Sequence, residues 1–295
     1  MRSSRYILVL LLYISCEDVV DVDLPPQEPR LIVDALIRLD LENDASPLRI
    51  KVNTTGDFFE ENTPTPLERM QIINETITDV SGTIFLTPDP EKPNEYVPLG
   101  ENGAPVPGDL IGNDIFLDGR LILTFVFQDE LYLAETRFAP SPPIRSLEQG
   151  TSTVFGEDNL EMQVTFKDLP SPGNFYVFDF DFNEFLTLED RFINDQEFTF
   201  SYFYENSFDD NQEVTISILG ATEAFYNYMD LLIEQSDLTD GGPFQVPVTT
   251  VRGNILKVEG VNNIDIFDNV GRPQEFVLGY FAVAQEHKES ILISN

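Results

Sequence analysis

Leu48-Arg49-Ile50-Lys51-Val52-Asn53 decides the fold class. Three aliphatic residues alternate with two cations and an amide. In an extended chain successive side chains point to opposite faces, so Leu48, Ile50 and Val52 share one face and the polar trio the other. A helix would scatter both sets around its circumference. The same two-residue period returns at Leu160, Met162, Val164 and Phe166, and in residues 213–219 (EVTISIL). Residues 174–182 (NFYVFDFDF) and Glu197–Tyr204 (EFTFSYFY) carry it with aromatic rings, which favour strands. Residues 30–39, 82–86, 120–127 and 130–138 are further expected strands.

Breakers organise the rest. Residues 57–69 and 87–108 are expected to be irregular, the latter being rich in Pro, Gly, Asn and Glu. Three prolines in residues 139–144 (APSPPI) interrupt any strand and mark the best boundary. One segment has helical spacing: Phe225, Tyr228, Met229 and Leu232 recur within residues 221–234, with Thr222 as N-cap. Asp240-Gly241-Gly242-Pro243 then reads as a turn. The expected architecture is all-β: two β-sandwich-like domains, residues 30–138 and 147–295, joined by a linker at 139–146, with one helix in the C-terminal half.

The composition bounds function. Seventeen Lys and Arg face 52 Asp and Glu, a formal net charge of -35. Such a chain repels phosphate backbones, which argues against nucleic-acid binding. A lone Cys and a lone His, Cys16 and His287, leave neither an intrachain disulfide nor a His-rich zinc site.

The first sixteen residues read as an address. Arg2 and Arg5 form a basic start, residues 6–14 (YILVLLLYI) an apolar stretch too short to span a bilayer, and Ser15 a small residue before Cys16. The arrangement resembles the lipobox of bacterial lipoproteins, although Tyr13 stands where that pattern has Leu. The resemblance implies cleavage after Ser15 and acylation of Cys16, with an added acyl chain such as palmitate. The competing readings are an ordinary signal peptide beside a chance Cys, or a buried core segment. Loss of residues 1–15 would leave a net charge of -37. Residues 17–23 (EDVVDVD) are acidic and 24–30 (LPPQEPR) Pro-rich, so 16–29 is expected to be a tether. Acidic residues just after the lipid also resemble surface-export signals of Bacteroidota lipoproteins; a merely solvated tether reads equally well.

Few residues suggest chemistry. There is no Gly-x-Ser-x-Gly elbow and no phosphate-binding glycine loop. His287 has no identifiable nucleophile beside it. Asp179 and Asp181 would share a strand face opposite Tyr176, Phe178, Phe180 and Phe182, as an acid–base or calcium pair or simply a solvent face. Asp209-Asp210-Asn211 and residues 237–240 are oxygen-rich without matching a calcium loop. Phe198, Phe200, Tyr202 and Tyr204 form an aromatic stripe, either a sugar platform or core. No catalytic residue, cofactor or metal site is expected.

A wider resemblance rests on Asn174-Phe175-Tyr176 after a Pro-Gly turn, Tyr226 with Tyr228, Phe244, Gly253-Asn254-Ile255 and Leu278-Gly279-Tyr280-Phe281. Cys16 with its acidic tether and Leu31-Ile32-Val33 add to it. Together they resemble a family of Bacteroidota lipoproteins, the domain-of-unknown-function family 4249. Its members are commonly encoded beside TonB-dependent outer-membrane receptors. The resemblance implies an outer-membrane lipoprotein, accessory to such a transporter, with an unidentified ligand; it supplies no catalytic residues. The alternatives are a structural or adhesive surface protein, then an acidic-residue hydrolase. A ligand cleft between domains would favour binding, and a smooth sandwich pair adhesion.

Overall fold

The computed structural model describes residues 30–55, 65–151, 160–204, 208–237, 251–258 and 277–294. Cys16, its signal and tether, Phe244 and the Asp240–Pro243 turn lie outside them. The described chain is all-β, with one helix longer than two turns.

Strand β1 (Leu31–Leu39) buries Leu31, Val33, Ala35, Ile37 and Leu39 and turns Asp34, Leu36 and Arg38 to its other face. It is followed by the short β2 (Ala45–Pro47) and by β3 (Ile50–Thr54), in which Ile50 and Val52 are buried, as is Leu48 just before it. From β1 the sheet runs through β3, β6 (Glu95–Pro98), β5 (Thr83–Pro88), β4 (Glu68–Asn74), β8 (Leu121–Phe127) and β9 (Glu130–Thr136) to β17 (Ile255–Lys257). Short β7 (Leu110–Gly112) pairs with β2, and a one-turn helix α1 (Asp114–Leu117) follows it. The buried faces of this arm share one core, to which Ile255, Val277, Phe281 and Val283 also belong.

The central strand is β18 (Leu278–Leu292). Its first part, Leu278 to Gln285, runs parallel to β1 from Ile32 to Leu39. Its second part, Glu286 to Leu292, runs antiparallel to β16 (Glu213–Ala221). Beyond β16 lie β13 (Phe175–Asp179) and β14 (Phe185–Glu189). A second sheet, β11 (Ile144–Gln149), β12 (Leu160–Lys167) and β15 (Glu197–Tyr204), packs over β13 and β16 as a sandwich. The aromatic stripes meet across it: Phe178 and Phe200 are edge to face at 5.0 Å, and Phe180 stacks on Tyr202 at 3.8 Å. Full burial of each such ring is worth about 1.5–3 kcal/mol. Their polar tips are satisfied, Tyr202 by Glu184 at 2.6 Å and Tyr204 by the Phe180 carbonyl at 2.7 Å.

Helix α2 (Glu223–Asp237) covers the other face of β13, β16 and β18. Thr222 caps it as its sequence suggests, accepting from Phe225 N at 3.2 Å through the hydroxyl and from Tyr226 N at 2.9 Å through the carbonyl. Phe225 and Met229 are buried, whereas Leu232 is exposed.

Several elements depart from the expectations. The stretch 87–108 is not one long loop: β6 within it is wholly buried and pairs with β3 and β5. Strands β4, β14 and β18 are additions to the expected set. The proline segment hugs the fold: β10 (Phe138–Ala139) pairs with β18 and Ser141 bonds Gln285 through N–H and hydroxyl, at 3.2 and 3.0 Å. Cores change at this segment, yet the chain returns to the first core at 251–258 and 277–285.

Candidate functional site

Beneath α2 the outer face of the sheet is apolar, with Leu36 of β1 and Ala282 and Ala284 of β18. Further along the same face it turns charged. Arg38 follows Leu36, and Glu286 and Lys288 follow Ala284, because every second residue of a strand shares a face. These side chains floor a cleft of about 680 Å³. Ala45, Pro47 and Leu110 of the small β2–β7 sheet form one wall with Asn43 and Asp44 of the loop before it, and Asp40 and Arg49 complete the lining.

Arg38 ties the two arms of the sheet together. Its guanidinium meets Asp179 of β13 at 2.7 Å and Glu286 of β18 at 3.2 Å. Burial works against its charge, but these two carboxylates outweigh it and hold the guanidinium above its ordinary value. Arg49 meets Asp89 at 2.8 Å, Asp109 at 2.6 Å and Glu95. It thereby clamps the β5–β6 connection and the segment before β7 to β3. The cleft thus holds three cations in a chain otherwise poor in them. Scarcity of Lys and Arg is the one sequence signal that could single out Arg38 and Arg49.

The sequence candidates have other places. Asp179 ends its strand in the Arg38 pair, while Asp181 lies in a left-handed turn with Phe182 and Asn183. The two carboxylates therefore do not share a strand face, and Phe182 is exposed beyond the aromatic face. Phe198, Phe200, Tyr202 and Tyr204 belong to the sandwich core. His287 is half-buried, with Nε2 at 2.9 Å from Gln285 Nε2. Asn211, at φ 63°, donates its amide N–H to the Ile293 carbonyl at 2.8 Å, which makes Asp209–Asn211 a turn. Among the described residues no three His, Cys, Asp or Glu side chains group as a metal site, and no helix is long and apolar enough to cross a membrane.

The sequence motifs resolve into structural joints. Asn254, just before β17, donates to the carbonyls of Glu135 and Phe281, both at 2.9 Å, and accepts from Phe281 N at 2.9 Å. It stitches β9 to β18. The flanking glycines allow the approach: a Cβ on Gly253 would lie 1.7 Å from the Gly279 carbonyl oxygen. One on Gly279, at φ +92°, would lie 2.0 Å from the Val33 oxygen.

Around Asn174-Phe175-Tyr176, the Tyr176 hydroxyl donates to buried Asp168 at 2.5 Å. Asp195 N donates to its other oxygen at 3.0 Å. Burial pushes the Asp168 carboxyl above the usual range, and burial together with that carboxylate raises Tyr176. Buried Asp190 accepts from Gly173 N at 3.0 Å and so fixes the Pro-Gly turn.

A family model described as "Domain of unknown function (DUF4249)" matches residues 128–290. That range contains Asn174–Tyr176, Asn254, Phe281, Glu286 and Lys288, but not Arg38 or Arg49. A comparison with curated proteins finds no match. Among solved structures, the chicken interferon gamma receptor alpha chain is similar at 11% identity. The alignment covers 66% of this chain and 89% of the receptor chain, with a TM-score of 0.16, too low to bear on the fold.

Proposed function

We propose, from the premise that this chain belongs to the DUF4249 family of domains of unknown function, that it is a substrate-binding accessory lipoprotein. In this reading acylated Cys16 holds it at the outer membrane, facing the cell surface, beside a TonB-dependent receptor. It binds and hands over a ligand and performs no chemistry of its own. The observation that carries the reading is the charged cleft of about 680 Å³ where the two arms of the sheet meet. That volume lies within the range of small-molecule sites.

The tether supports the reading physically. Two partners anchored in one bilayer meet at raised effective concentration, so modest contacts suffice. Acyl chains contribute about 0.8 kcal/mol per buried methylene, and two or more give a stable anchor.

The test is co-purification from mildly solubilised outer membranes. The expected result is recovery with a TonB-dependent receptor, with acyl mass on Cys16, and release of Cys16→Ser into the soluble fraction. Recovery of the acylated protein alone at low salt would instead favour an adhesive surface protein.

A further inference from the structure

Three charged side chains of the cleft, Lys288, Asp44 and Asp40, have no ion pair among the described residues, and the Asp40 carboxylate is taken up by its own turn, accepting from Glu42 N at 2.9 Å and Asn43 Nδ2 at 2.7 Å. Lys288 projects from β18 and is exposed. Asp44 projects from the loop before β2 and is exposed too. Arg38 and Arg49, by contrast, are committed to carboxylates. Lys288 and Asp44 line one cavity without meeting each other, so a ligand carrying both charges can bridge them.

The rest of the lining narrows the class. No aromatic ring lines the cleft, in a chain with 24 Phe and 10 Tyr. A sugar site would be expected to use such rings as platforms. The lining also includes Leu36, Ala45, Pro47 and Leu110, which offer small apolar contacts. A volume of about 680 Å³ is larger than one amino acid needs and suits a molecule of several hundred daltons. The geometry points to a short peptide with free termini, of roughly three to five residues. Its carboxylate sits at Lys288, its ammonium at Asp44 and its side chains against the apolar wall.

This inference rests on the cleft being the binding site of the reading above. The experiment is calorimetric titration of the mature, acylated protein in detergent with tetra-alanine, its N-acetylated form, its C-amidated form and maltotetraose. Tetra-alanine is expected to bind, and each blocked form to bind more weakly, by up to about fivefold, the upper end for a surface ion pair. Lys288→Gln should abolish the difference between free and amidated peptide and leave the acetylation effect intact; Asp44→Asn should do the converse. Absence of tetra-alanine binding, equal affinity for all three peptides, or binding of maltotetraose instead would overturn the inference. Receptor co-purification is scored separately. If it succeeds while the peptide fails, the ligand class falls and the accessory role stands.

Discussion

Asn254 satisfies both backbone hydrogen-bonding groups of Phe281, donating to its carbonyl and accepting from its amide, each at 2.9 Å. One amide side chain thereby does what a neighbouring strand would do. Its second donor bond, to Glu135, reaches β9 on the far side. Asn254→Ala removes three hydrogen bonds and is expected to cost about 2–4 kcal/mol in urea unfolding. Asn254→Asp should be worse at pH 7, since an ionised carboxylate would face the Glu135 and Phe281 carbonyls without a proton to offer. An Asp variant as stable as the parent would mean that the amide is not the joint.

Gly279 is expected to be intolerant for a steric reason that can be separated from its backbone conformation. Gly279→Ala places Cβ 2.0 Å from the Val33 oxygen at φ +92°, and a loss of at least about 3 kcal/mol is expected. Gly173 has φ +81°, but a Cβ added there would meet only open space. Gly173→Ala should therefore cost only about 1–2 kcal/mol, the left-handed penalty alone. Equal thermal shifts for the two variants would remove the close-approach argument.

Arg38 joins β1 to β13 and β18 through Asp179 and Glu286, both largely buried. Arg38→Met leaves these carboxylates facing each other without a cation and is expected to cost about 1–3 kcal/mol. The Arg38 side chain is a third exposed, so solvent and salt discount its share. A double-mutant cycle with Asp179→Asn should give a coupling of about 1 kcal/mol that shrinks in roughly molar salt. Strict additivity would show the pair to be energetically idle.

Asp168 makes a pH-dependent prediction. Its folded-state pKa is raised above the unfolded value of about 3.9. The resulting contribution to stability is fully present below the unfolded value and lost as pH rises through the folded one. Tyr176 donates to this carboxylate, and a bond to a charged acceptor is worth more than one to a neutral acid. Tyr176→Phe should therefore cost about 2 kcal/mol at pH 7 and roughly 1 kcal/mol less below the unfolded pKa. The check is urea unfolding of both proteins across that range; a cost that does not change with pH would place the proton elsewhere.

Local signals suffice for the strands that carry their own pattern. Leu48 to Val52, Met162 to Phe166 and Phe198 to Tyr204 alternate, and the period alone states which face is buried. Helix α2 is legible from its spacing and its Thr222 cap. Strand β6 is hidden because Pro98 and the turn residues around it outweigh four buried positions, and only pairing with β3 and β5 makes it a strand. β18 is hidden for a related reason: the Leu-Gly-Tyr-Phe motif is visible, but a strand flanked by β1 and β16 is specified by its partners. The candidate cleft is the least legible part. Arg38, Arg49, Asp44 and Lys288 are ordinary polar-face residues in sequence. Chain topology alone brings them together, by laying β18 against β1 and folding the β2–β7 pair over that face. Periodicity is a property of neighbours along the chain and survives in one dimension; a cleft is a property of neighbours in space and does not.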